Sequence, residues 1–198
     1  MHTSDHPARR STAAALVITA LFVLTQLYSA IPLIGPVSTD LGRNATFALS
    51  TSFSLCYALG FLIWGPIADH YGRRTCLLIG MALLTVATLS CAVTTSLGAL
   101  AAARCIQGIT AASFSPIALA YLSDSTPPAW RGTAIGAMST AFLVAGIFGQ
   151  VTAQAITERW GWHWVFGASA LILFICAGAI AVLMRDRTTR APYSSLID

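Results

Sequence analysis

Lysine is missing from this chain, glutamate occurs once, as Glu158, and charged residues make up only 9% of 198 positions. Soluble domains carry roughly 25% charged residues, so the shortage excludes a water-wetted surface of ordinary kind. Hydrophobic residues reach 56% and mean hydropathy is +0.74, which makes the bilayer the expected solvent. All eleven basic residues are arginine, and they set a net charge of +4. Their scatter through short polar stretches excludes the clustered basic face that nucleic acid requires. Cys56, Cys76, Cys91, Cys105 and Cys176 lack the paired spacings of a metal site or a disulfide framework and are expected to pack as small core residues. No nucleophile, base and orienter can be assembled, nor a His, Cys and carboxylate set for a metal, so neither an enzyme nor a metal or other cofactor is expected.

What the chain does have is long apolar runs. Charges and turn residues cut it into segments near Ala13 to Gly35, Leu49 to Ala68, Cys76 to Thr94, Leu97 to Leu122, Thr133 to Ile156 and Trp164 to Met184. Each is about 20 residues or longer, enough to cross a hydrocarbon core of ~30 Å as a helix. The reading is an all-α polytopic membrane protein with six transmembrane helices. Residues 1–12 form a polar tail, 13–184 the bundle and 185–198 a polar C-terminal segment. The first run is too long for a signal-peptide core and lacks an A-x-A site, so it reads as a retained helix.

Arginine placement orients the bundle. Arg9, Arg10, Arg73, Arg74, Arg131, Arg185, Arg187 and Arg190 fall on one set of ends, whereas only Arg43 and Arg159 fall on the other. By the positive-inside rule both termini are cytoplasmic, in a cell (plasma or inner) membrane. Trp160, Trp162 and Trp164 then suit an outer aromatic belt, with His163 a headgroup-level residue. Small residues such as Gly132, Gly136, Gly146 and Gly149 give the texture of closely packed membrane helices.

The segment Gly65-Pro66-Ile67-Ala68-Asp69-His70-Tyr71-Gly72-Arg73-Arg74 groups an acid, glycines and arginines at a helix junction. It resembles the loop between the second and third helices of the major facilitator superfamily of secondary transporters. Asp124-Ser125-Thr126-Pro127-Pro128-Ala129-Trp130-Arg131-Gly132 resembles that family's second cytoplasmic loop, Arg104-Cys105-Ile106-Gln107-Gly108 its fourth-helix R-x-x-Q-G pattern, and Trp162-His163-Trp164-Val165-Phe166 its W-x-W-x-F approach to the sixth helix.

The resemblance implies one half of the family's fold, with 3+3 inverted repeats. It implies a conformational gate of Gly65, Asp69, Gly72, Arg73, Arg74, Asp124 and Arg131, with Asp69 as lock, Arg73 as relay and Asp124 as far anchor. The i, i+4 spacing of Asp69 and Arg73 lets these side chains meet if the helical turn persists. The resemblance also makes Arg104, with Gln107 and Gly108, an intramembrane charge tied to helix packing and proton transfer. Ionisable groups within spans are functional candidates on physical grounds too. Gln26 and Tyr28 in the first span, and Gln150 in the fifth, are the candidate substrate-path residues. In the fifth span Gly146 and Gly149 match the family's antiporter pattern, its proline is absent and Gln150 replaces a frequent glycine.

The function implied is secondary active transport by alternating access, with proton-coupled export of small organic molecules in first place and the proton gradient as the driving force. Alternatives are an uptake carrier, or a non-transporting subunit that needs a partner. No carboxylate lies inside a span, so coupling falls to a group elsewhere or to Asp69 through water. The family norm is twelve spans, and the chain stops where a central loop would begin. A second six-helix half is therefore expected, as the remainder of a longer chain, a separate chain or a second copy. A lone half is expected to leave the neighbourhood of Arg104 open to lipid. The absence of lysine suits a GC-rich bacterial genome.

Overall fold

The computed structural model describes residues 5–184 and is helical almost throughout. The segment 185–198, with Arg185, Arg187 and Arg190, lies outside the described residues. The first span comprises α1 (Asp5–Tyr28) and α2 (Ala30–Asp40), the second a π-helical turn (Phe47–Thr51) running into α3 (Ser52–Tyr71), and the third α4 (Arg73–Ala92). The fourth span comprises α5 (Leu97–Ala111) and α6 (Phe114–Ser125), the fifth is α7 (Pro128–Trp160) and the sixth α8 (Trp162–Leu183). Among the described residues, six helical stretches are long and apolar enough to cross a membrane.

The spans are related by an inverted repeat. The first span packs along the fifth as the fourth packs along the second, and the third and sixth pack on each other. The third also contacts the fourth as the sixth contacts the first. Exchanging spans one to three with four to six maps these contacts onto themselves, which is the 3+3 arrangement in physical form.

Local chemistry repeats in step with the packing. Both the first and fourth spans break in mid-course, at Ser29 and at Ala112-Ser113, and each break has proline three residues after its serine, Pro32 and Pro116. Proline gives no N–H to the carbonyl four residues back, so each helix loses a rung there. The junctions after the second and fifth spans are single glycines, Gly72 and Gly161, both at φ 90°. A side chain in that conformation would clash with its own backbone, and glycine lets two long helices meet with one residue between them.

Several boundaries differ from those expected. α1 reaches back to Asp5, the first span continues to Asp40 beyond its break, and α7 runs four or five residues past the apolar run at each end. Polar first and last turns carry no hydropathy signal, yet they complete the backbone hydrogen bonds. The aromatic belt also needs correction. Trp160 and Trp164 are exposed, but Trp162 is 4% exposed, stacks on His163 and donates from Nε1 to Asp40 Oδ2 at 2.9 Å. It closes the end of the bundle that carries Gly161 instead of facing lipid headgroups.

Candidate functional site

Two polar constellations stand out, one deep in the bundle and one at the end that carries Gly72. The deep one is centred on Arg104 of α5, which is 0% exposed. Its guanidinium donates from Nε to the carbonyl of Leu49 at 2.8 Å, and from Nη1 to the carbonyl of Gln26 at 3.0 Å and to Gln107 Oε1 at 2.7 Å. The acceptors exist because of local irregularities. Leu49 belongs to the π-helical turn, and Gln26 sits at the break ending α1, where Ser29 Oγ also donates to its carbonyl at 3.3 Å. Regular helices keep their carbonyls for themselves, and irregular ones release them to a side chain.

Aromatic faces flank the guanidinium, whose buried Nη2 has no hydrogen-bond partner among the described residues. The guanidinium carbon lies 4.3 Å from the Phe53 ring centroid and 5.8 Å from that of Phe166. A cation desolvated against an aromatic face gains about 2 kcal/mol from the ring quadrupole. Gln107, also 0% exposed, extends the network: Nε2 donates to Gln26 Oε1 at 3.2 Å and to Thr88 Oγ1 at 2.9 Å. Cys91 Sγ lies 3.6 Å from Gln107 Oε1. Four spans thus meet at one arginine. Among the described residues no carboxylate is bonded to it, so carbonyl dipoles and ring faces bear the charge.

Gly108, one turn beyond Arg104, presses α5 against α3. A Cβ built there would lie 2.4 Å from the carbonyl oxygen of Phe53 and 3.0 Å from the backbone nitrogen of Tyr57. The R-x-x-Q-G pattern therefore has one local meaning: arginine and glutamine make the network, and glycine lets the helices close around it.

This geometry corrects two expectations. Arg104 is not opened to lipid in the isolated six-helix unit, because α1, α3, α8 and the π-helical turn enclose it. Gln26 does not line a substrate path in this conformation. It is 1% exposed, and both its backbone carbonyl and its side chain are taken up within the bundle. Tyr28 is half-buried, its ring 3.8 Å from where a Cβ on Gly146 of α7 would stand, and the Gln150 amide donates to the Gly146 carbonyl at 2.8 Å. Those two remain together on the seam between α1 and α7.

The constellation at the Gly72 end is arranged differently from its spacing. The helical turn does not persist between Asp69 and Arg73, because Gly72 ends α3 and starts α4 in a new direction. Arg73 turns to α6, where it bridges Asp124 and donates to the carbonyl of Ala120 at 3.0 Å. Arg74 turns to α8 instead, donating to the carbonyls of Met184 at 2.6 Å and Ala181 at 3.0 Å. The adjacent arginines therefore cap the C-terminal ends of two different helices, where the macrodipole favours positive charge. Asp69 and Arg131 are exposed. Gly65 has open space where a Cβ would stand, so packing within this unit does not demand glycine there.

Phe53, Phe166, Thr88 and the Leu49 carbonyl were not read from the sequence as parts of the deep network. Phe166 alone carried a signal, as the last residue of the W-x-W-x-F pattern.

The fold and these constellations define a six-helix inverted-repeat unit of a membrane transporter. The model of the Major Facilitator Superfamily matches residues 16–196, and the chain belongs to that superfamily. It is similar to an uncharacterised MFS-type transporter of Mycobacterium tuberculosis, 34% identical over 64% of this chain and 22% of the relative. It is also similar to Multidrug resistance protein 3 of Bacillus subtilis, 31% identical over 67% of this chain and 26% of the relative. Multidrug resistance protein Stp of Mycobacterium tuberculosis is 33% identical over 70% of this chain and 27% of its own length. A solved structure of a bacterial homologue of the human lysosomal transporter Spinster, inward-facing and occupied, shares the fold. Its TM-score is 0.83 at 21% identity, over 91% of this chain and 45% of that one. The chain spans about a quarter of the length of these curated relatives.

Proposed function

We propose that this six-helix unit works with a second one in proton-coupled export of small organic molecules by alternating access. The observation that carries the reading is family membership together with relatives named for multidrug resistance. The two constellations suit the roles it assigns. The Arg104 network ties five spans into a body that moves as a unit, and the exposed Asp69 is free to meet a second half at the inner surface. An exposed ion pair is worth about 0–1 kcal/mol and a charge at a helix end about 0.3–1 kcal/mol, together enough to bias two conformations without freezing either. With both termini cytoplasmic in a bacterial inner membrane, Asp69, Arg73, Asp124 and Arg131 all lie on the proton-rich or proton-poor side together. Asp69 is the carboxylate placed to respond to that difference through water. Tyr28 and Gln150 offer hydroxyl and amide contacts to a solute.

The test is flux of a fluorescent amphiphile in everted vesicles containing this unit with its companion half, whether that is a longer chain, a separate chain or a second copy. Uptake into the vesicles is expected to stop when a protonophore is added. Asp69→Asn is expected to abolish it while amounts in the membrane stay the same. Flux indifferent to both contradicts the reading, and an assembled complex without flux favours a non-transporting subunit.

A further inference from the structure

All five cysteines were expected to be small core residues, but only three are buried. Cys76, Cys91 and Cys176 fit that expectation, whereas Cys56 of α3 and Cys105 of α5 are partly exposed. They stand on helices that pack together at this level. Cys105 Sγ lies 3.6 Å from the carbonyl oxygen of Ser52. In α3 that carbonyl is the helical acceptor of the Cys56 N–H, four residues on, so the Cys105 sulfur sits against the turn that carries Cys56. The contact is enforced by Gly108, one turn along α5, whose missing side chain brings α5 onto the backbone between Phe53 and Tyr57. Among the described residues no third His, Cys, Asp or Glu joins them, so a four-coordinate metal has no ligand set here.

We propose that Cys56 and Cys105 form an oxidation site, a thiol pair that closes to an interhelical disulfide when a lipid-soluble organic hydroperoxide reaches the bilayer. The chemistry balances in two steps. One thiol sulfur attacks the hydroperoxide, the O–O bond breaks, and sulfenic acid and an alcohol form. The second thiol then displaces water from the sulfenic acid, the S–S bond forms, and the two electrons have passed to the peroxide. The disulfide ties α3 to α5 beside Arg104, whose acceptor Leu49 lies on the turn leading into α3. It therefore staples a helix pair already brought together at Gly60 and Gly108. This inference is independent of the transport reading, since it needs only the packing of α3 on α5.

The test treats membranes containing the full chain with cumene hydroperoxide, blocks free thiols with N-ethylmaleimide and maps the linkages by peptide mass spectrometry. A linked pair of peptides holding Cys56 and Cys105, 2 Da lighter than the two thiol forms and reopened by a phosphine, is expected. After denaturation Cys76, Cys91 and Cys176 should still take the label. The oxidised wild type should melt at a higher temperature than the reduced protein, and Cys56→Ser and Cys105→Ser should each abolish that rise. The proposal is overturned if both thiols still label fully after peroxide. It is equally overturned if the only disulfides found join two chains or involve another cysteine. The linkage map is read on the wild type, so it decides the matter even if a serine variant folds poorly.

Discussion

The fourth and fifth spans are similar in hydropathy and opposite in surroundings. In the stretch Leu97–Ser125 61% of the apolar window is buried inside the bundle, against 22% in Pro128–Trp160. The fourth span carries Arg104, Gln107 and Gly108 into the centre, while α7 buries only a narrow stripe of Met138, Ala141, Ala145, Gly149 and Ala153. Hydropathy cannot separate the two, because lipid and bundle interior are equally apolar. What separates them is the cost of polar groups. An arginine and a glutamine can be carried only where carbonyls and rings receive them, whereas the exposed sides of α7 are available to lipid or to a second helical unit.

The same contrast divides the two charge constellations. Each bond around Arg104 is made in the absence of water, where an unpaired polar group costs about 1–3 kcal/mol or more. The Arg73–Asp124 bridge stands with its side chains 34% and 67% exposed, and such pairs are worth about 0–1 kcal/mol. One constellation therefore holds the bundle together, and the other is weak enough to open and close.

Breaking the deep constellation should give the largest effects. Arg104→Ala leaves the Leu49 and Gln26 carbonyls and the Gln107 amide without their donor and empties the space between Phe53 and Phe166. A loss of about 3–5 kcal/mol is expected, read as a large fall in the detergent melting temperature. Gly108→Ala forces a methyl group onto the Phe53 carbonyl. It should cost about 1–3 kcal/mol by overpacking, with a matching fall in the midpoint of thermal unfolding. Gln107→Leu removes the links to Gln26 and Thr88 and should cost about 0.6–2 kcal/mol, the range of interhelical hydrogen bonds in lipid. Gln107→Glu sharpens the point, since it supplies the carboxylate that Arg104 lacks and should be better tolerated than Gln107→Leu in the same melt. Asp124→Asn at the exposed end of the bundle should stay within about 1 kcal/mol of wild type.

Much of the bundle could be read from residue order. Run length and arginine bias yield six spans, and the Gly65–Arg74 and Arg104–Gly108 motifs locate both constellations. Partner choice was not readable. The i, i+4 spacing paired Asp69 with Arg73, but a single positive-φ glycine redirects the chain so that Arg73 meets Asp124 and Arg74 meets the end of α8. Gln26 read as a path residue because a glutamine at mid-span looks the same whether it faces a cavity or a buried arginine. Its true place depends on the break at Ser29 and the π-helical turn at Leu49, two departures from regular helix that only the packed structure displays. Cys56 and Cys105 were hidden for the same reason, since the approach of their helices depends on Gly108 closing two elements that lie far apart in sequence.

The central claim is that the enclosed Arg104 network holds the bundle together, whereas Asp69 stands exposed and carries none of its packing. Parallel thermal unfolding of Arg104→Ala and Asp69→Asn in one detergent tests it most directly. The account predicts a strong loss of stability for Arg104→Ala and a wild-type melt for Asp69→Asn. Equal melts for the two variants, or a larger loss for Asp69→Asn, would contradict it.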